Sequence, residues 1–222
     1  MPQSNRHAKN ARLFFSKNPD IHPGMSRSTP HKHTPLTRCP WCPPDDPLYI
    51  AYHDEEWGRE VRDPARLFEM ITLEGAQAGL SWRTVLGKRE NYRKVFKNFD
   101  AQRVAKFSAA RVEEILSNPG IIRNRLKVES TIANAKAIVA LEERGIHFPE
   151  LLWSFVENQP RRNAFTSLSQ MPSQTPASEQ MSRELKKLGF RFVGPTVCYA
   201  FMQAVGMVDD HLESCFVRQK SA

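Results

Sequence analysis

The amino-acid sequence predicts an all-α fold built from many short helices. From Asp46 onward, no stretch shows the sustained alternation of apolar and polar residues that marks a half-buried strand. Helix starts are marked instead, for example at Asp63-Pro64, where an N-cap residue precedes a proline at the first helical position. Glycines stand where helices are expected to end, as Gly145 does after the longest amphipathic stretch. These observations favour a helical domain without internal repeats.

Most predicted helices start at a capping residue or a proline, and several end at a glycine. In chain order they run from Asp63 to about Ala78, from Ser81 to about Phe96, from Asp100, from Ser108 to near Gly120, from about Arg123 to Arg144, from Pro149, from Ser178 to Gly189, and from Pro195 to Gly206. Residues 158–178 are polar, contain three prolines and are interpreted mostly as loop.

The composition limits the class of protein. A chain of 222 residues is long enough to bury a substantial core. Its four cysteines are too few for a secreted disulfide scaffold and indicate a reducing compartment, so we expect a cytoplasmic protein. No run of about 18 apolar residues is present, and we therefore expect no membrane span. The net charge of +8 favours a polyanionic partner.

Most of this positive charge lies at the start of the chain. Residues 1–38 contain seven Lys or Arg and one acidic residue, Asp20, together with four of the seven histidines. We predict a disordered basic arm over residues 1–37, a folded domain over residues 38–217 and a short tail over residues 218–222. A functional arm would be a non-specific DNA tether or a targeting sequence. The alternative is a solvated tail, or a translation start assigned too early, with Met25 as another candidate start.

Four residues from the two ends of the predicted domain form a candidate metal site. Cys39 and His53 lie near its start, and His211 and Cys215 lie near its end. Thiolate and imidazole groups are ligands that zinc prefers, and a closed Cys/His/His/Cys set is typical of structural zinc. If these residues meet, one Zn²⁺ ion joins the first residues of the domain to its last, and the chemistry lies elsewhere.

The segment between the last two predicted helices is a candidate DNA-binding hairpin. Gly194 comes directly before a helix start, where backbone N–H groups and the positive end of the helix dipole suit a phosphate. Lys186, Lys187 and Arg191 add positive charge beside it. A helix-hairpin-helix unit of this kind would bind the DNA backbone without reading the sequence. The alternative is an ordinary turn between two helices.

A carboxylate occupies an apolar position of the helix that starts at Asp63. Leu67, Ile71, Glu74 and Ala78 fall on one face by the helical period. A glutamate there either reaches solvent or caps a neighbouring helix, or it is buried, faces a pocket and has a perturbed pKa. The periodicity is compatible with both interpretations.

Two aromatic residues favour the pocket. Trp82 follows the start of the next predicted helix, and Tyr52 directly precedes His53. A carboxylate with two aromatic rings is suited to a flat, cationic heterocycle. The same spacing also occurs in ordinary hydrophobic cores, so the aromatic residues alone do not separate the two interpretations.

Several specific motifs extend over about residues 38–216. They are DPLYIAYHD at 46–54, LFEMI at 67–71, LEG at 73–75, QAGLSW at 77–82, KRENY at 88–92, GIIR at 120–123, WSFV at 153–156, FVG at 192–194 and DH at 210–211. Together these motifs resemble the bacterial 3-methyladenine DNA glycosylase I family. The resemblance implies a helix-hairpin-helix DNA glycosylase fold in which a structural zinc site joins the N- and C-terminal parts of the domain.

The resemblance also implies an activity and a set of site residues. It implies hydrolysis of the N-glycosidic bond of 3-methyladenine in alkylated double-stranded DNA, by an enzyme that we expect to be a monomer. The matching positions for the zinc ligands are Cys39, His53, His211 and Cys215. The base-recognising glutamate falls on Glu74, and the pocket aromatic residues fall on Tyr52 and Trp82, with Trp41 as a further candidate. Whether 3-methylguanine is also removed stays open.

The sequence departs from the family pattern at two places. Cys42 adds a second thiol after Cys39 and is an alternative metal ligand, although Cys39 fits the pattern better. Asp209 stands where the family usually has asparagine, so it is either a general base or an N-cap for a helix carrying His211 and Cys215. Cys198 lies on an apolar helix and is interpreted as a buried structural thiol.

Three functions are compatible with these residues. The first is a monofunctional glycosylase, because no lysine stands near the hairpin in the place typical of Schiff-base lyases. In that mechanism the damaged base is flipped out and enclosed by Glu74, Tyr52 and Trp82. The second is a non-catalytic, zinc-stabilised DNA-binding protein. The third is a hydrolase in which zinc activates water.

Overall fold

The computed structural model describes residues 36–220 of the chain, with side chains described as far as Arg218. These residues form a mostly helical domain, which confirms the predicted fold class. The predicted arm over residues 1–37 lies outside the described residues except for its last two, and the end of the predicted tail also lies outside them. None of the helices in the described range is long and apolar enough to cross a membrane.

The helices are short, and one long helix, α7, stands out among them. The α-helices are α1 (Pro47–Ala51), α2 (Pro64–Gln77), α3 (Trp82–Leu86), α4 (Arg89–Val95), α5 (Ala101–Val104), α6 (Ala109–Ser117), α7 (Arg125–Glu143), α8 (Phe148–Ser154), α9 (Pro176–Lys187), α10 (Pro195–Ala204) and α11 (Phe216–Lys220). A π-helix covers Tyr52–Glu56, and 3-10 helices cover Lys97–Phe99 and Leu168–Gln170.

Local capping explains where several helices begin. The carboxylate of Asp63 accepts a hydrogen bond from the backbone N–H of Arg66 at 2.8 Å, and Pro64 occupies the first helical position of α2. The hydroxyl of Ser81 accepts a hydrogen bond from the backbone N–H of Thr84 and starts α3. The predicted starts of both helices are therefore confirmed.

The helix predicted to start at Ser178 begins two residues earlier. Thr175 is its N-cap and Pro176 is its first residue. Ser178 has another role, because its hydroxyl accepts a hydrogen bond from the backbone N–H of Thr175 at 2.9 Å and completes a reciprocal capping box. The prediction placed the start at the wrong member of this box.

The single helix predicted over residues 81–96 is two helices. The first ends at Gly87, whose backbone N–H donates to the carbonyl of Arg83, and α4 begins at Arg89. Glycine is a poor helix residue, and here it ends the helix rather than being tolerated inside it.

The described residues also contain one short pair of strands. The strands β1 (Arg161–Arg162) and β2 (Val208–Asp209) pair in parallel. The ladder includes hydrogen bonds from Arg161 N to Met207 O at 2.9 Å and from Asn163 N to Asp209 O at 3.2 Å. Two-residue strands have no alternating pattern, so this pairing could not be predicted from the sequence.

Helix α2 occupies the centre of the domain. It packs against α3, α7, α8 and α10, and every residue from 67 to 76 is buried. A single apolar stripe therefore describes this helix poorly, because it is surrounded on all sides.

Candidate active site and metal centre

A cavity opens beside the C-terminal half of α2. Its volume is about 230 Å³. This is below the roughly 300–1,000 Å³ typical of sites for drug-sized ligands, so the cavity suits one small heterocycle. The residues that line it are Trp41, Tyr49, Tyr52, Trp57, Glu74, Gln77, Trp82, Met171, Ala200 and Gln203.

Glu74 is the acidic group of this cavity. It is 5% exposed, and no described residue donates a hydrogen bond to its carboxyl group or forms an ion pair with it. Burial raises the pKa of Glu74 to about 8, because the charged form loses its hydration without gaining a partner. In the structure Glu74 is therefore a buried carboxyl group that faces a pocket, which is one of the two interpretations considered from the sequence.

Aromatic rings form much of the cavity wall. The rings of Tyr52 and Trp82 have centroids 5.1 Å apart, and both are more than nine-tenths buried. Trp41 also lines the cavity, with its ring centroid 4.8 Å from that of Trp57 and 5.8 Å from that of Tyr49. The three aromatic residues singled out from the sequence therefore lie together around Glu74.

Four polar or aromatic lining residues were not predicted: Tyr49, Trp57, Gln77 and Gln203. Tyr49 and Trp57 lie within a few residues of Tyr52, so the density of aromatic residues in this stretch was a usable signal. Gln77 lies one turn after Glu74 on α2, and this spacing was a weaker signal. Nothing local distinguishes Gln203, which reaches the cavity from α10.

A buried network of ion pairs holds the π-helix that carries Tyr52 and His53. Arg89 donates to both carboxylate oxygens of Glu56, the last residue of the π-helix, at 2.9 and 2.7 Å, and also to Glu69 of α2. Burial alone would raise the pKa of Glu69, but hydrogen bonds from arginines, including Arg89, bring this pKa below its ordinary value. The network joins the π-helix to α2 and α4, and so sets the position of Tyr52 relative to Glu74.

Three of the predicted metal ligands come together. The candidate ligand atoms of Cys39, His53 and Cys215 all lie within 4.8 Å of one another, and the three residues are buried. A hydrogen bond from the Cys39 thiol lowers the pKa of Cys215, which favours the thiolate form that a metal requires. Two sulfurs and one imidazole nitrogen suit zinc. Of the two candidate thiols near the start of the domain, Cys39 lies in this cluster and Cys42 does not.

His211 lies next to this cluster but is not one of its three residues. Its ring is edge-on to that of His53, with centroids 5.0 Å apart, and its Nε2 lies 3.4 Å from the carbonyl oxygen of His53. Its other nitrogen, Nδ1, lies 2.8 Å from a carboxylate oxygen of Asp209. His53 is held in a similar way, with its Nδ1 2.7 Å from Asp54. Carboxylates behind imidazoles are typical of zinc sites, where they fix the ring orientation.

Asp209 is not the helix cap considered from the sequence. It belongs to β2, and residues 210–215 are not helical, so it does not cap a helix carrying His211 and Cys215. It does not line the cavity around Glu74. It accepts hydrogen bonds from Arg162 and from the backbone and ring of His211, and although burial opposes them these bonds lower the pKa of Asp209 to about 2. Its observed contacts orient His211.

The hairpin lies between α9 and α10. Gly194 is the N-cap of α10, and Arg191 and Lys187 are exposed beside it. A second cavity joins this region to the first, because Thr196 and Val197 of α10 line it together with Glu74 and Gln77. The start of α10, where a phosphate would bind, is therefore next to the cavity that holds Glu74.

Comparisons with known proteins agree with this geometry. Residues 41–219 match the family model described as methyladenine glycosylase. The chain is 52% identical over 180 residues to DNA-3-methyladenine glycosylase 1 of Escherichia coli, covering 81% of this chain and 96% of that protein. It is 49% identical over 179 residues to DNA-3-methyladenine glycosylase of Haemophilus influenzae, covering 81% and 96% respectively.

Solved structures show the same likeness. A crystal structure of 3-methyladenine DNA glycosylase I matches with a TM-score of 0.80 at 53% identity, covering 81% of this chain and 98% of that chain. A structure of the Staphylococcus aureus enzyme, which describes the basis of 3-methyladenine recognition, matches with a TM-score of 0.76 at 33% identity, covering 78% and 93% respectively.

Proposed function

Because this chain belongs to the methyladenine glycosylase family, we propose that it removes 3-methyladenine from alkylated DNA by hydrolysing the N-glycosidic bond. The observation that carries the site assignment is Glu74, a buried carboxyl group without a partner among the described residues, in a cavity walled by Tyr52 and Trp82. A cavity of this size and chemistry suits one flipped, positively charged base.

The chemistry of the substrate determines what the protein has to supply. Methylation at N3 gives the adenine a positive charge while it is attached to the sugar, so the base is already a good leaving group. The site then has to select the cationic base rather than protonate it. Glu74 accepts hydrogen bonds from the base, and the rings of Tyr52 and Trp82 contact its π face, where a cation is favoured over a neutral adenine.

The same cation has an effect on Glu74. Without a bound base, Glu74 holds a proton over most of the neutral range, because burial raises its pKa to about 8. A positive charge close to the carboxyl group favours its ionised form, so the cationic base and the Glu74 carboxylate stabilise each other. Neutral adenine gives no such compensation. This coupling adds to the selectivity of the aromatic walls.

The hairpin is the proposed contact with double-stranded DNA. Backbone N–H groups after Gly194 bind a phosphate, and Arg191 and Lys187 add positive charge. No lysine lines the cavity among the described residues, which supports release of the base by water without a Schiff-base intermediate and without strand cleavage. We expect the protein to act as a monomer.

We assign one structural Zn²⁺ ion to the cluster of Cys39, His53 and Cys215, with His211 as the proposed fourth ligand. When bound, zinc would link the two ends of the domain and take no part in bond cleavage. The residues themselves support this arrangement, because Asp54 and Asp209 already hold the two imidazole rings in fixed orientations.

The proposed function is tested by release of free 3-methyladenine from methylated double-stranded DNA. The wild-type protein should release the base and leave the strand intact. Glu74→Ala should lower the release rate by about 100-fold or more, whereas Glu150→Ala, at an exposed glutamate of α8, should leave it unchanged. DNA binding without release would indicate a non-catalytic DNA-binding protein and would refute the proposal. Full release by Glu74→Ala would refute the site assignment.

A further inference from the structure

Asp210 is a completely buried carboxylate beside the cavity. It accepts three hydrogen bonds from neutral side chains, namely from Tyr199 at 2.6 Å, from Asn163 at 2.7 Å and from Gln203 at 2.8 Å. Within the described range, no Lys, Arg or His side chain forms an ion pair with it. Each donor is therefore needed, because a buried carboxylate that loses a hydrogen bond has no cation to compensate.

Gln203 connects this carboxylate to the cavity. Its side-chain nitrogen donates to Asp210 and lies 3.2 Å from the sulfur of Met171. Both neighbours are acceptors, so the amide cannot rotate by 180° without turning its oxygen toward a carboxylate. The amide oxygen accordingly lies on the other side of the group, and no described residue donates a hydrogen bond to it. Gln203 lines the cavity together with Glu74.

We propose that Gln203 is a specificity-determining residue, whose side-chain oxygen accepts a hydrogen bond from the exocyclic amino group of the bound adenine and whose orientation is fixed by Asp210. This inference rests on the proposed function. The amino group of adenine carries two N–H donors, and Glu74 and Gln203 are two acceptors in one cavity. A carboxyl group gains an O–H donor when it is protonated, whereas the amide keeps the same donor and acceptor atoms at any pH.

The fixed orientation determines which bases are rejected. A guanine-type base has a carbonyl oxygen where adenine has its amino group, so it would place an acceptor against the oxygen of Gln203. A free glutamine would rotate its amide and donate instead. Gln203 cannot do so without breaking its hydrogen bond to Asp210, and two acceptors facing each other in a buried site are unfavourable. The pair Gln203 and Asp210 therefore favours adenine over guanine.

The inference is tested by comparing two free bases that differ only in the amino group. The probes are 3-methyladenine and 3-methylpurine, and the measurement is the dissociation constant by calorimetry. Gln203→Met keeps a side chain of similar length without an amide. It should weaken 3-methyladenine binding by about 5-fold to 10-fold, the value of one hydrogen bond, and change 3-methylpurine binding by less than about 2-fold.

A second substitution separates reading of the base from support of Asp210. Tyr199→Phe removes a different hydrogen bond to the same carboxylate oxygen that Gln203 contacts. It should change the binding of both bases by the same factor. If Gln203→Met weakened the binding of both bases equally, or of neither base, Gln203 would not recognise the amino group and the inference would be wrong. Gln203→Ala provides the same comparison should the methionine variant fail to fold.

Base release from DNA distinguishes this inference from the proposed function. The wild-type protein should release 3-methyladenine faster than 3-methylguanine, and Gln203→Met should reduce this ratio. Equal ratios for the two proteins would refute the role of Gln203 while leaving the glycosylase function intact. Absence of any release by the wild-type protein would refute the function itself.

Discussion

The side-chain amide of Asn134 pairs with both backbone polar groups of Arg191. Its oxygen accepts a hydrogen bond from the Arg191 N–H at 2.7 Å, and its nitrogen donates to the Arg191 carbonyl at 3.1 Å. The next residue, Phe192, has a φ of 54°, a left-handed conformation that a residue with a side chain adopts only when its neighbours hold it. Gly75 of α2 packs closely against Phe192, since a Cβ atom added to Gly75 would lie only 3.1 Å from the Cβ atom of Phe192. The hairpin is therefore fixed to the helix that carries Glu74.

We predict that Asn134→Ala weakens DNA binding and leaves the base pocket unchanged. Without the amide, the backbone of Arg191 loses two hydrogen bonds and the hairpin becomes mobile. The KM for methylated DNA should rise by about 10-fold, while kcat and the dissociation constant of free 3-methyladenine should stay within about 2-fold. Steady-state base release and calorimetry with the free base measure the two effects. A fall in kcat at unchanged KM would contradict the prediction.

The pKa of Glu74 predicts how the stability of the protein depends on pH. Its pKa is about 8 in the folded protein against an ordinary value of 4.5, so between these values the folded state holds a proton that the unfolded state has released. The free energy of unfolding must then fall as the pH rises through this window. Replacing the carboxyl group by a neutral amide removes this term.

Glu74→Gln should therefore be more stable than the wild-type protein at high pH and equally stable near pH 4. The difference should grow between about pH 4.5 and pH 8 and reach a plateau on the order of 5 kcal/mol. Urea unfolding at a series of pH values measures it, and Glu150→Gln is the control for an exposed glutamate. Parallel stability curves for wild-type protein and Glu74→Gln would show that the carboxyl group is not desolvated.

The two thiols near the start of the domain should differ in their effect on metal content. Cys39 lies in the cluster with His53 and Cys215, whereas Cys42 lies outside it, with its sulfur 3.9 Å from the carbonyl of Pro43. Cys39→Ser should lose zinc and lower the Tm, and Cys42→Ser should retain one equivalent of zinc with a Tm close to that of the wild-type protein. Elemental analysis and thermal unfolding measure both.

Removal of the metal gives the complementary result. Chelation should lower the Tm of the wild-type protein and of Cys42→Ser, and should have little further effect on Cys39→Ser. Cobalt substitution adds a spectroscopic measure, because thiolate ligands give a charge-transfer band that Cys39→Ser should reduce. Zinc loss in Cys42→Ser with retention in Cys39→Ser would reverse the assignment.

The features that were predictable from sequence are those set by a few neighbouring residues. The starts of α2 and α3 follow from Asp63-Pro64 and Ser81, because a cap is a contact within four residues. The break at Gly87 was missed, since the same residue type also occurs inside helices. The pairing of β1 with β2 was missed as well, because two-residue strands leave no period in the sequence.

For the site, the predictable part is the part that lies close in sequence to a recognisable feature. Tyr52 and Trp82 were found beside His53 and Ser81, and both line the cavity with Glu74. The role of Gln203 depends on Asp210 and on the fold of α10 across α2, and no local pattern encodes such a contact. The contacts of Asp209 depend likewise on Arg162, which is distant in sequence.

Arg89 holds the π-helix in place. Its side chain is 8% exposed and forms ion pairs with Glu56 and Glu69, and the side chain of Glu69 is 3% exposed. Arg66 pairs with the same two glutamates, but its side chain is 34% exposed. Without Arg89, the buried Glu69 carboxylate keeps ion pairs only with the more exposed Arg66 and Arg93, whereas loss of an exposed ion pair costs little. The two arginines are therefore a matched pair that differ in burial.

Arg89→Met should lower the free energy of unfolding by about 3 kcal/mol, and Arg66→Met by less than about 1 kcal/mol. Because Glu56 ends the π-helix that carries Tyr52, Arg89→Met should also weaken binding of free 3-methyladenine, whereas Arg66→Met should not. Urea unfolding and calorimetry measure the two effects on the same protein samples. Equal losses of stability for both variants would show that burial of Arg89 does not determine its contribution, and unchanged base binding by Arg89→Met would show that Tyr52 keeps its position without the network.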